Sequence, residues 1–137
     1  MRINLARGLI GLVILVNLQC AALFLLAPGR FSPGFQLSGY VGDAVIRGFG
    51  VLFLMWNIPY VVALWHPIRH WVSLLEAVAM QFIGVVGESL IYSSVPGNLV
   101  ILRSSLIRFI TFDLLGLLAL LAAAWLVRKA GQHDSDG

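Results

Sequence analysis

The chain of 137 residues holds one cysteine, Cys20, and one lysine, Lys129. A single cysteine excludes an internal disulfide and any metal site built from cysteine alone. Charged residues make up only 11% of the chain, whereas hydrophobic residues make up 60%. A soluble domain carries about 25% charged residues, so this chain has too little polar surface to coat itself in water. That excludes an ordinary soluble enzyme, a disordered tail and a disulfide-stapled mini-protein. Several motifs are also missing. There is no nucleophile elbow, no phosphate-binding loop, no dinucleotide fingerprint and no zinc-protease helix. No ten-residue alternating pattern appears, which argues against a β-barrel. Repeats and low-complexity tracts are absent as well. The net charge of +3 comes from bases scattered singly through apolar sequence. They form no patch or stripe, so nucleic acid is not an expected partner.

What the chain does have is long apolar runs. Four stand out, at about 5–26, 44–65, 68–93 and 99–127. Each exceeds the roughly 20 residues needed to cross about 30 Å of hydrocarbon. In lipid the backbone must satisfy its own polar groups, so each run is expected to be a helix. The expected fold is all-α, an integral membrane four-helix bundle in one transmembrane domain over 1–137, with a polar tail at 128–137. Arg2 and Arg7 precede the first run as in a signal peptide. Asn17-Leu18-Gln19 before Cys20 lacks the small residues that processing needs, so the run reads as a retained helix. The cluster Ala27-Pro28-Gly29-Arg30-Phe31-Ser32-Pro33-Gly34 ends it. The half-apolar stretch after it, 35–42, fits either an interfacial segment or a loop. Trp65 and Trp71 flank a tight turn, as residues at a membrane–water boundary do. Arg2, Arg7, Arg69, Arg128 and Lys129 fall on one side of the membrane, against Arg30, Arg47 and Arg103 on the other. The positive-inside bias therefore predicts a multi-pass protein of the cell membrane with both termini cytoplasmic.

Ionisable residues inside spans are costly and usually face the bundle, pair, or line a cavity. Glu88 and Arg103 lie at similar depths, roughly 6–8 Å from the outer ends of their helices at 1.5 Å per residue. Arg47 starts the second span at a comparable level, and Arg108 lies about one turn deeper than Arg103. The short turn between the third and fourth spans makes them antiparallel neighbours, so Glu88 is expected to pair with Arg103 or Arg108. Asn57, Gln81 and Asp113 form a deeper polar level, with Asn17 and Gln19 nearer the outer side. Ala77, Gln81, Gly84 and Glu88 share one helical stripe. Ser104, Arg108 and Thr111 make a comparable stripe on the fourth span. Facing each other, the two stripes would form a polar seam opening outward. The candidate ligand-binding residues are thus Arg47, Asn57, Gln81, Glu88, Arg103, Arg108 and Asp113. The same groups would serve equally as structural glue between helices or as an oligomer contact.

Pro59 removes the donor for the Met55 carbonyl and should kink the second span, with neighbouring groups or Asn57 able to satisfy the freed carbonyl. Glu76, early in the third span, suits a helix N-terminus. His66 and His70 are four apart, but Pro67 between them breaks the register. No histidines face each other across the membrane as haem would require. No catalytic residue, no metal ligand and no cofactor is assigned.

Four features set a family likeness over about 5–127. They are the basic start (Arg2, Arg7), Arg47-Gly48-Phe49-Gly50 opening the second span, the Trp65-His66-Pro67 turn, and a last helix carrying Arg108 and Asp113. In these the chain resembles the small four-helix membrane proteins of the DoxX-like group. The resemblance implies a four-helix membrane fold, and some members resemble subunits of quinone-linked sulfur oxidation. The group's Gly-x-x-Glu of the second helix is replaced here by Gly50-Val51-Leu52-Phe53, so no redox residue carries over. The expected function is binding rather than catalysis, of a lipid-like or quinone-like molecule or of a membrane partner. The expected partners are membrane lipid, such a ligand, and a membrane protein or second copy. The alternatives are a membrane subunit of a quinone-linked oxidoreductase and a small proton-coupled transporter.

Overall fold

The computed structural model describes residues 1–133, and His133 by its backbone only. Among the described residues there is no strand; the chain forms four long helices. They are α1 (Arg2–Leu26), α2 (Gly39–Trp65), α3 (Trp71–Ser94) and α4 (Val100–His133). All four are long and apolar enough to cross a membrane. Each helix packs on the next, and α4 closes the ring against α1. One end of the bundle carries the N-terminus, the α2–α3 turn and the end of α4, and is called the terminal end. The other, the loop end, carries the α1–α2 connection and the α3–α4 turn.

The ends of the helices follow local chemistry. His66 precedes Pro67 and takes a non-helical backbone (φ −147, ψ 81), which stops α2 because the residue before proline avoids the helical region. The His70 amide then donates to the His66 carbonyl at 2.8 Å, and α3 starts only at Trp71. At the other side, α2 begins at Gly39, five residues before its hydropathy rises. Just past its first turn stands Asp43, which accepts a hydrogen bond from Ser32 at 3.0 Å. The connection before it is two short 3-10 helices, Pro28–Arg30 and Ser32–Phe35, with Pro28 and Ser32 buried against the bundle. The first part of stretch 35–42 is the end of this folded connection, and the last part is helix. The fourth helix runs on through 128–133, where a polar tail was expected; residues 134–137 lie outside the described residues.

Two different interiors meet in mid-span. The terminal half is aliphatic, with Ala6, Ile10, Ile14, Ala63, Leu74, Leu120 and Ala123 in one cluster. The loop half is aromatic. Phe24 stacks edge-on with Phe31 at 4.9 Å and packs near Phe109 at 6.1 Å, while Phe35 bridges Phe49 and Phe109 at 5.7 Å each. Between these halves lies a layer of buried polar side chains. Leu15, Ile83 and Leu115 point outward, each more than half exposed, as lipid-facing side chains do.

Candidate functional site

The polar layer is built where α3 crosses α4. The Tyr60 hydroxyl donates to Gln81 Oε1 at 2.7 Å, and Gln81 Nε2 donates to Asp113 Oδ1 at 2.8 Å. The three side chains are at most 5% exposed. They tie α2, α3 and α4 together through one hydrogen-bonded chain. Two glycines make the room. A Cβ on Gly84 would run into the Asp113 carboxylate, and a Cβ on Gly116 would stand 2.8 Å from Gln81 Nε2. Each polar side chain therefore lies across a glycine of the facing helix, one turn from its partner's polar group. Asn57, also expected at this depth, is buried on α2. Its Nδ2 donates to the Phe53 carbonyl at 2.7 Å, not to the Met55 carbonyl that Pro59 frees. Its Oδ1 has no partner, and neither has Asn17 Oδ1 on α1.

The outer cluster of charges does not assemble as expected. Arg103 turns away from Glu88. Its Nη1 donates to the Val95 carbonyl at 2.7 Å and the Tyr92 carbonyl at 3.3 Å, and its guanidinium lies 4.0 Å from the Tyr92 ring centroid. The unsatisfied carbonyls at the C-terminus of α3, favoured by the helix dipole, and an aromatic face together outcompete a carboxylate further down the helix. Arg108 is likewise not paired with Glu88; its Nη2 donates to Ser105 Oγ at 3.0 Å. Glu88 Oε2 is buried without a partner. Arg47 is exposed on α2 and takes no part in a cluster among the described residues. The second stripe is also displaced. Ser104, Arg108 and Thr111 are exposed, and the inward positions of α4 are Ser105 and Asp113. Thr111 satisfies itself on the Ile107 carbonyl at 2.8 Å. The α3 stripe does face inward, with Ala77, Gln81 and Gly84 buried. Two facing polar stripes are therefore not formed. Glu76 is exposed and lines a shallow groove beside Pro59. No group of three or more His, Cys, Asp or Glu able to hold a metal occurs among the described residues.

The cavity with the makings of a site lies elsewhere, between α1, α4 and the folded α1–α2 connection. It has a volume of about 300 Å³ and is walled by Phe24, Phe31, Phe35, Phe109 and Phe112, with Cys20 below. Arg30, Arg108 and Ser105 supply its polar rim, and no acidic side chain lines it. The rim is tied down: Ser105 Oγ donates to the Gly34 carbonyl at 2.7 Å and accepts from Arg108. A Cβ on Gly34 would stand 3.0 Å from Ser105 Oγ, so glycine lets the connection sit this close to α4. Phe112 also lines a second cavity of about 220 Å³ between α1 and α4, with Leu12, Val13, Val16, Leu115, Gly116 and Ala119. From Arg108 to Ala119 the two cavities together follow α4 for about 16 Å. One polar end with two guanidiniums and one long apolar end is the shape of a site for an amphiphile.

Of the expected candidates, only Arg108 belongs to this cavity. Sequence reasoning missed Arg30, Ser105 and the five phenylalanines. The available signal was a bunching of phenylalanine toward one end of the bundle, with tryptophans Trp65, Trp71 and Trp125 toward the other. No protein-family model, no curated protein and no solved structure matches the chain.

Proposed function

We propose that this is a multi-pass protein of the cell membrane, with both termini cytoplasmic, that binds one amphipathic, lipid-like molecule with an acidic head. The head sits between Arg30 and Arg108 at the outward-facing loop end. The apolar chain runs past Phe112 into the groove between α1 and α4. The observation that carries this reading is the aromatic cavity with both bases on its rim, which shares Phe112 with an apolar cavity that has none. Guanidinium groups favour carboxylate and phosphate because their fork matches two oxygens at once. A quinone-like molecule is the second reading. Its ring would stack among Phe31, Phe35 and Phe109, with its carbonyls accepting from the same two arginines. The binding reading fits the DoxX-like order of spans, which makes membership of that group part of the proposal.

Native mass spectrometry of the protein in mild detergent, with lipid extraction of the same sample, tests this. The wild type is expected to carry one bound molecule at fixed stoichiometry, and its extracted mass tells acidic lipid from quinone. Arg30→Gln with Arg108→Gln should cut occupancy by at least about tenfold, as loss of charge-assisted hydrogen bonds does. Arg47→Gln, outside the cavity, should leave it unchanged. An empty wild type, or equal occupancy in the double variant, would overturn the reading.

A further inference from the structure

Phe112 is the one residue shared by the walls of the two cavities between α1 and α4. Toward the loop end lies the aromatic cavity, with Arg30 and Arg108 on its rim. Toward the terminal end lies the apolar cavity, where Leu12 and Leu115 are each more than half exposed and so open it to the bilayer. The other four phenylalanines of the aromatic cavity are held by rings. Phe24 packs on Phe31, Phe53 and Phe109, and Phe35 packs on Phe49 and Phe109. Phe112 has no ring partner among the described residues and is only half-buried. A phenylalanine on a helix has two ordinary χ1 settings, near 180° and near −60°, and both lean its ring toward the helix N-terminus. On α4 that direction is the loop end, so the ring leans toward the aromatic cavity. Four wall rings are thus fixed by packing, and the one at the boundary of the two cavities is free to change rotamer.

We infer that Phe112 selects amphiphiles by chain length. Its ring ends the aromatic cavity, and an apolar tail passes into the second cavity only when the ring swings aside. This rests on the amphiphile reading above and adds to it the residue that chooses among amphiphiles. Arg108 to Phe112 is about 6 Å along α4, whereas Arg108 to Ala119 is about 16 Å. With the acidic head on the two arginines, an n-hexyl chain ends near the ring and an n-dodecyl chain must pass it. The wider ring of tryptophan would block that passage, and the methyl of alanine would leave it open.

A competition between hexyl phosphate and dodecyl phosphate tests this. Both are added together to the full chain in mild detergent, and the bound species are read by native mass spectrometry. The ratio of dodecyl to hexyl adducts is compared among variants at one detergent concentration, so that partition into micelles cancels. Phe112→Trp should lower this ratio by at least about tenfold relative to the wild type, as overpacking of a filled space does. Phe112→Ala should raise it by about threefold or more, since no ring has to be moved. Phe82→Ala, on the lipid-facing side of α3, should leave it unchanged. Either Phe112 variant decides the matter if the other does not fold. Alkyl phosphates that bind with the same ratio in the wild type and the Phe112 variants would overturn this inference and leave the amphiphile reading standing. A wild type that binds neither phosphate would overturn both.

Discussion

Replacing Gln81 with leucine is expected to destabilise the bundle by about 2–4 kcal/mol, although the two side chains are similar in size. The amide is the only link between Tyr60 and Asp113. Without it a buried hydroxyl and a buried carboxylate both lose their partner, at about 1–3 kcal/mol each. A hydrogen bond between membrane helices averages only about 0.6 kcal/mol when its partners can re-pair. The larger figure applies here because Gln81 is the hydrogen-bond partner of both buried groups at once. Thr111→Val is the matched control. That hydroxyl is exposed and bonds only to its own helix, so a change under about 0.5 kcal/mol is expected. Reversible unfolding in mixed micelles measures both. A Gln81→Leu variant as stable as the Thr111 control would mean that the chain of bonds does not hold the helices.

Two glycines of α3, three residues apart, should respond in opposite directions to alanine. At Gly84 a Cβ meets the Asp113 carboxylate, whereas at Gly87 nothing lies within 4 Å. Gly84→Ala must push Asp113 off its site and pull it from Gln81. Overpacking of about 1–3 kcal/mol then adds to the loss of a buried hydrogen bond, for about 3–4 kcal/mol in all. Gly87→Ala should be neutral or stabilising by up to about 1 kcal/mol, since alanine is the better helix former. Combining Gly84→Ala with Asp113→Ala should cost less than the sum of the two, because the second change removes the group the first collides with. Equal effects at the two glycines, or strict additivity in the double variant, would contradict this geometry.

Hydropathy made the four spans visible because lipid imposes one rule on every crossing segment. It could not show the start of α2, since the turn holding Asp43 is polar and earns its helix from the folded connection beside it. It also missed the last turns of α4, where the helix continues past the apolar run. The inward stripe of α3 was readable from spacing, because Gln81 and Glu88 stand out in an apolar helix. On α4 the same reasoning chose Ser104 over Ser105, and one position is about 100° of rotation. Nothing local tells adjacent serines apart; the Gly34 carbonyl, far away in sequence, does. The charge pairing failed for a related reason. Equal depth is not proximity: Arg103 meets carbonyls and an aromatic ring at the end of α3 first. The aromatic cavity stayed hidden because phenylalanine looks the same to hydropathy whether it faces lipid or a ligand.

The most direct test of the central claim is to map where an acidic amphiphile touches the protein. The wild type is reconstituted in vesicles that contain a phosphatidic acid with a photoactivatable group on its acyl chain. After irradiation, the labelled peptides are identified by mass spectrometry. The account predicts label concentrated on α1 and α4 around Val16, Phe112 and Leu115, and lost when Arg30 and Arg108 are both changed to glutamine. Label spread evenly over the lipid-facing helices, or concentrated on α3 around Glu88, would contradict it.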